Sequence, residues 1–382
     1  MTKKLYDLDS HLQTFTGRVL ACEARDGKYG IVLDQTAFFP PGGGQAADTG
    51  TLHGIPVVDV SEHEQSIVHW LTAPIAVGTE VTGLIDWDTR FRRMQNHSGE
   101  HIVSGLIHQL YGFDNVGFHM GSQAVTIDYN GSLTVEDVKR IELLANEAVV
   151  KNVAVWARYP SPEELEGMTY RSKLALTENI RIVSIEGYDI CACCAPHVSH
   201  TGEIGLIKLL DCSPHKKGVR INMLCGYPAL EDYQQKFEQV LAISKRLSSK
   251  PDGVSSAVEQ LLRSYEEAKQ KLSSTYRELA QAKIQAIPQT EGDLLLFEAE
   301  WDLGALRDMV NAGMQRCSGI CAAFSGEEGA YRYVIGSNSM DVSALGKEMN
   351  QALHGRGGGS ASMIQGSVQS TKNEIEAFFM MK

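Results

Sequence analysis

Apolar and polar residues alternate in four segments near the N-terminus: "GRVLACEA" (17–24), "YGIVLDQ" (29–35), "IPVVDVSE" (55–62) and "TEVTGLID" (79–86). A period of two marks half-buried strands, and the turn signals between them predict a small barrel or meander over residues 1–85. The period becomes helical over 90–112, which sets His97, His101 and His108 on related turns. Residues 113–128 read as extended. "SLTVEDVKRIELLANEAVVKN" (132–152) is an amphipathic helix opened by Thr134, with Asp137 placed as in a capping box. "VAVWARY" is a strand, and Ser161 opens a short helix. "IRIVSIEGYDICACCAPH" is a strand running into a tight cysteine-rich turn, followed by strands in "GEIGLIKLLDC" and "GVRINMLCG". Residues 86–227 are thus expected to form an α/β two-layer domain.

Residues 228–288 change character. Two helical stretches flank the turn "KPDG", and Val258, Leu261, Tyr265, Ala268, Leu272, Leu279 and Ala282 follow an a/d spacing interrupted by Thr275. Two readings stand side by side: an antiparallel helical hairpin packed on its own chain, or a spacer or dimer seam, with a homodimer formed through this spacer or through the C-terminal domain. Pro288 ends the second helix. Residues 289–382 alternate strand and helix and carry a glycine-rich turn in "HGRGGGSASMIQGS", so a compact C-terminal α/β domain is expected there. The fold class is α+β: a β-barrel, a two-layer domain, a helical spacer and a C-terminal domain.

Composition narrows the setting. The 382 residues are 43% hydrophobic and 21% charged, as in ordinary globular proteins. No apolar run approaches the length of a membrane span, and no apolar stretch follows the first lysines, so a cytoplasmic protein is expected. Eight cysteines, three of them in "CACC", read as reduced thiols or metal ligands rather than as a disulfide framework. With a net charge of −12, any contact with nucleic acid needs local basic clusters. Two exist: Arg90, Arg92 and Arg93, and Lys216, Lys217 and Arg220. Taken alone, each reads first as a solvated face.

The candidate chemistry begins at "NHSGEH" (96–101). His97 and His101, four apart on a helix, share a face and can hold one ion. Cys193 and His197 in "CCAPH" supply a second pair on a turn. One thiolate and three imidazoles suit zinc, a borderline-soft ion satisfied by tetrahedral N and S ligands. Cys191 and Cys194 compete for the thiolate position. "HSGEH" also fits the inverted zincin pattern of a metallopeptidase, with Glu100 as general base. That reading leaves "CCAPH" and the glycines at 42–44 and 357–359 without a role. The plain alternative for Glu100 is an exposed helix residue.

"QTAFFPPGGGQAADTGTL" (35–52), "NHSGEHIVSGLI" and "CCAPHVSHTGEIGLIKL" in this order resemble the editing domain of alanyl-tRNA synthetase and its free-standing relatives, the AlaX proteins. Thr36, Phe38, Pro40, Gly42, Gly43, Gly44, Gln45, Asp48 and Gly50 match the family's barrel motif, and His97, His101, Cys193 and His197 its H-x-x-x-H and C-x-x-x-H motifs. "SHTGEIG" (199–205), "HKKGVRI" and "GYPAL" continue the likeness. "GRGGGSASMIQGS" (355–367) resembles the DHH-associated domain that follows the editing domain in the synthetase. There are departures. Phe39 stands for the usual tyrosine, "CCAPH" for C-G-G-T-H, and His119 for the glutamine before "GS". They keep the metal ligands but stiffen the turn and alter the pocket.

The resemblance implies hydrolysis of the ester between serine or glycine and the alanine tRNA, with zinc as cofactor. The chain begins just before the barrel, with no aminoacylation domain ahead of it, so it is expected to edit and not to charge. Thr36 is then the candidate for recognising the serine hydroxyl, and Gln45 for orienting substrate or water. Gly43 and Gly44 let the backbone approach the substrate and offer N–H donors. Lys216, Lys217 and Arg220 would meet tRNA phosphates. The competing class is a non-catalytic tRNA-binding module with a structural zinc.

Overall fold

The computed structural model describes residues 1–121, 124–172 and 179–381. The chain is a mixed α+β protein that divides into two compact units, Met1–Leu241 and Ala242–Lys382.

In the first unit, six antiparallel strands close a barrel in the order Thr14–Arg25, Lys28–Leu33, Ser66–Leu71, Ile55–His63, Gly50–Leu52, Glu80–Ile85. The period-two alternation places Val19, Ile31, Leu33, Val60, Ile67, Leu71 and Val81 inside. Closure leaves no strand edge unpaired. A short parallel pair, Lys3–Lys4 with Gln35–Thr36, ties the N-terminal segment to the chain where it leaves the barrel. Phe38 and Phe39 follow and are buried in the barrel's core.

Helix α1 (Trp87–Tyr111) starts where Asp86 accepts the N–H of Thr89 and stops at Gly112, which is left-handed at φ 70°. Every residue from Met94 to Ile107 is buried. The helix packs against a four-stranded antiparallel sheet in the order Ile207–His215, Gly218–Cys225, Val125–Tyr129, Asn115–Met120, and against α2 (Val135–Lys151). Met94, Ile102, Val103 and Ile107 meet Ile127, Ile141, Ala145, Ile221 and Met223 in that core. A second sheet is made of Val155–Arg158, Ile182–Ile185 and Asp189–Ala192, with the short helix α3 (Pro162–Glu166) between its first two strands in the chain. Its last two strands form a hairpin, so "IRIVSIEGYDICACC" is two strands with a turn at 186–188 and not one. That hairpin delivers the cysteine-rich turn to α1. Gly105 of α1 allows the approach, since a Cβ there would lie 2.1 Å from the carbonyl oxygen of Tyr188.

Helix α4 (Tyr227–Arg246) carries the chain across the unit boundary. In the second unit α5 (Val254–Gln285) packs on α6 (Leu303–Gly313) near Ala280 and Ile284. Val258, Leu261, Tyr265, Leu272 and Leu279 of its heptad pattern are exposed. A five-stranded sheet runs Leu294–Glu298, Cys321–Glu327, Ala330–Gly336, Met363–Val368, Arg356–Gly359, with only its first pair parallel. Side chains of α6 join the core on one side of it, and α7 (Val342–Ala352) and α8 (Lys372–Met380) the other. The glycines at 357–359, read from the sequence as a turn, are an edge strand instead. They pair with Ile364–Gly366, and a Cβ on Gly357 would lie 2.3 Å from the Tyr333 hydroxyl. No helix among the described residues is long and apolar enough to cross a membrane.

Candidate metal centre

Helix α1 and the turn at 193–197 bring His97, His101, Cys193 and His197 together, with their ligand atoms within 4.8 Å of one another. The three histidines are buried and Cys193 is half-buried. Each imidazole has its Nδ1 engaged by a partner. His97 Nδ1 lies 3.2 Å from Gln45 Oε1, His101 Nδ1 2.8 Å from Asp189 Oδ2, and His197 Nδ1 3.0 Å from Ser98 Oγ. The Nε2 atoms are thereby left for the centre of the cluster. Those of His97 and His197 stand 3.5 and 3.4 Å from Cys193 Sγ. A tetrahedral zinc with ordinary Zn–S and Zn–N bonds separates S from N by roughly 3.5 Å, so the donor set fits that ion. Outer partners on every Nδ1 are the usual support of metal-bound histidine.

The charges agree with this chemistry. Burial opposes ionisation of the Cys193 thiol, but His97 and His197 beside it outweigh burial and hold it well below the usual thiol range. Burial, opposed by Cys193, pushes His197 down to about 3, which keeps the imidazole neutral. Burial disfavours charge on His101, yet its bonds to Asp189 and Cys193 raise it. Asp189 in turn accepts both Nε and Nη2 of Arg171, at 2.7 and 2.8 Å. His101, Asp189 and Cys191 form a second group of potential ligands. Its carboxylate is already committed to His101 and Arg171. Cys194 is exposed, so Cys193 is the thiol that faces the histidines.

The glycine stretch lies against this cluster. Gly42 and Gln45 exchange two backbone hydrogen bonds, 3.0 and 2.9 Å, around a two-residue turn whose Gly43 and Gly44 have φ 59° and 81°. Left-handed φ at both positions is the reason glycine stands there. A Cβ on Gly43 would lie 3.6 Å from the His97 ring and 3.8 Å from Cys193 Sγ, and one on Gly44 would lie 2.4 Å from the Phe118 ring. The turn delivers Gln45, whose buried side chain offers Oε1 to His97 and leaves Nε2 without a hydrogen-bond partner.

Other residues singled out in the sequence fall elsewhere. Thr36 is buried in the barrel, 2.8 Å from His69 Nε2. His69 Nδ1 lies 3.0 Å from the Ile31 carbonyl, so it is the N–H donor, and the Thr36 hydroxyl donates to Nε2. Phe38 N–H donates to the same hydroxyl, which keeps one lone pair for another donor. Among the described residues Thr36 makes no hydrogen bond to the His/Cys cluster. Lys216 and Lys217 are exposed at the tip of the hairpin joining Ile207–His215 to Gly218–Cys225. Cys225, at the far end, donates to Asn96 beside His97, which puts the tip roughly 23 Å away along the strand. Arg220 is held by both oxygens of Asp128 at 2.7 and 2.9 Å, so its charge is already paired. Glu100 is buried rather than exposed, and its carboxylate accepts from Ser104 and Asn115. A general base must face the attacked water, and this carboxylate is bound up inside the domain core. Asp189, Ser98 and the His69 partner of Thr36 had no signal in the sequence, because each acts only through a tertiary neighbour.

The threonyl and alanyl tRNA synthetase second additional domain matches residues 180–222, the stretch that carries Cys193 and His197. The alanine–tRNA ligase of Pyrococcus abyssi is 30% identical over 403 residues, 98% of this chain but 43% of the ligase. The chain thus spans less than half the length of that relative. The C-Ala domain of the Aquifex aeolicus alanyl-tRNA synthetase is similar over 23% of this chain and 88% of that domain, at 18% identity and a TM-score of 0.21. In sequence the chain is thus similar to parts of aminoacyl-tRNA synthetases. Two further relatives match over nearly their whole length: alanyl-tRNA editing protein AlaX-L of Pyrococcus horikoshii (26% identity, 98% of this chain, 96% of that protein) and alanyl-tRNA editing protein Aarsd1 of Mus musculus (26%, 97% and 95%). Over nearly its whole length the chain is similar to the alanyl-tRNA editing proteins.

Proposed function

We propose that the protein is a trans-editing deacylase that hydrolyses serine, and also glycine, from mischarged alanine tRNA. An alanine pocket rejects glycine or serine poorly by binding, because a missing methyl or an added hydroxyl is worth only about 1–3 kcal/mol. A separate hydrolytic site removes the error. The observation that carries the reading is the unpartnered Nε2 of buried Gln45, beside His97 and on the turn that covers the ligand cluster. A buried amide N–H without an acceptor costs free energy, and a substrate ester oxygen satisfies it.

His97, His101, Cys193 and His197 would hold zinc, which supplies a positive centre beside the scissile ester. Gln45 then plays two parts. Its Oε1 fixes the His97 ring, and its Nε2 donates to the oxygen that gains charge as water attacks. The positive φ of Gly43 and Gly44 brings backbone close to the substrate. Thr36 keeps one acceptor lone pair, which can take the hydroxyl proton of a seryl group, whereas alanine offers it nothing. Lys216 and Lys217 are free to meet phosphate at a distance from the chemistry, and the C-terminal unit is assigned a further tRNA contact.

The test is Gln45→Glu with Cys193→Ala beside it. Glutamate keeps the acceptor for His97 and removes the donor. The expected result is deacylation of Ser-tRNA(Ala) lowered about 10²–10³-fold at unchanged zinc content. Cys193→Ala is expected to lose zinc and activity together. Gln45→Glu at native activity would refute the assignment of the donor.

A further inference from the structure

The turn at 193–197 carries two of the four ligands on a stretch with neither helix nor strand. Pro196 within it has no N–H. The path of such a backbone is set by what takes its carbonyls. Arg181 Nη1 donates to the carbonyl of Cys193 at 3.1 Å and to that of Ala195 at 2.8 Å. The backbone carbonyl of Arg181 accepts from Cys193 N–H at 3.0 Å, so residue 181 holds the first half of the turn through both its backbone and its side chain. Ser10 Oγ donates to the carbonyl of His197 at 2.7 Å. Alternate carbonyls along the ligand turn are therefore held by side chains.

The Ser10 hold comes from the segment ahead of the barrel, and the Arg181 holds are anchored to that segment. Arg181 Nε stands 3.2 Å from Asp7 Oδ1, with the side chains 5% and 11% exposed. Neither atom has a well-directed hydrogen bond, so the contact is ionic. Tyr159 O–H fixes the other oxygen of Asp7 at 2.9 Å. Ser10, three residues after Asp7, is anchored through its own carbonyl by Arg90 at 3.1 Å.

We propose that Arg181, anchored by Asp7, is a positioning residue for the metal: it sets the reach between Cys193 and His197 by holding the carbonyls of Cys193 and Ala195. The N-terminal segment is then part of the metal centre. The inference rests on the proposed metal at this cluster. Arginine suits the task because its planar fork reaches two carbonyls and a carboxylate at once, whereas lysine presents a single point of donation.

The test loads the full-length protein with cobalt(II). The thiolate-to-cobalt charge-transfer band and the ligand-field bands report the geometry at sulfur and nitrogen, and transfer to a chromogenic chelator reports release. The variants are Arg181→Lys, Ser10→Ala and the double variant Asp7→Asn/Arg181→Met, which leaves no buried charge without a partner. The double variant is expected to hold metal about 10- to 100-fold more weakly, as outer-shell changes do, with shifted ligand-field bands. Arg181→Lys and Ser10→Ala should fall between it and the native protein while keeping native circular dichroism. Should the double variant fail to fold, those two single variants decide. Native release rates and native cobalt spectra in the folded variants would overturn the proposal. Native protein that takes up cobalt without a thiolate band would refute the metal centre itself, a separate outcome.

Discussion

Replacing Arg90 with methionine breaks the joint between the barrel and α1. The guanidinium donates Nε to Asp48 Oδ1 at 2.8 Å and Nη2 to Asp48 Oδ2, and reaches the carbonyls of Ala37 (2.6 Å) and Ser10 (3.1 Å). Asp48 Oδ2 also accepts from Phe39 N–H at 2.6 Å, so one ion pair spans the two ends of the glycine turn and the helix that bears His97. Both side chains are at most 1% exposed. Removing the cation leaves a buried carboxylate with one donor, a loss of about 3–5 kcal/mol for breaking a buried pair. At roughly 2–4 °C per kcal/mol for a unit of this size, the melting transition should fall by about 6–20 °C. The assay is calorimetry on the full chain, with Arg90→Met/Asp48→Leu beside it. The double variant removes the stranded charge and should recover part of the loss. A single variant that melts within about 2 °C of the native protein would refute the reasoning.

Further outcomes follow from other groups. Asp189→Asn weakens the orientation of His101 and should lower metal affinity about 10- to 100-fold in a chelator competition. Gly44→Ala forces a left-handed alanine into the Phe118 ring and should cost about 1–3 kcal/mol in denaturant unfolding. Burial, opposed by the Ile31 carbonyl, lowers His69 to about 4 from its usual 6.5. Between these values the unfolded chain binds a proton that the folded one does not, so stability is full above pH 6.5 and lost as pH falls towards 4. The loss should approach about 3 kcal/mol, and His69→Gln should flatten that limb of the stability profile.

The His97, His101, Cys193 and His197 cluster was legible because each pair is local: i and i+4 on one helix, and C-x-x-x-H on one turn. The barrel strands were legible from their alternation. What surrounds the cluster was not. Asp189 reaches His101 only because the 182–192 stretch folds back as a hairpin. Glu100 looked exposed because a charged residue on a helix usually is, yet α1 is covered on all sides over 94–107 and accommodates the carboxylate with Ser104 and Asn115. Arg220 counted as a free cation until the register opposite Asp128 paired it. The glycines at 357–359 carried turn propensity, which ladder pairing and the close approach of Tyr333 overrode. Local spacing survives folding unchanged, whereas charge balance and burial are decided by neighbours distant in sequence.

The most direct measurement is single-turnover deacylation of Ser-tRNA(Ala) and Ala-tRNA(Ala) by the zinc-loaded native protein. The account expects rapid release of serine with alanine spared. Folded, zinc-loaded protein that binds tRNA and hydrolyses neither ester would contradict it and leave an RNA-binding module.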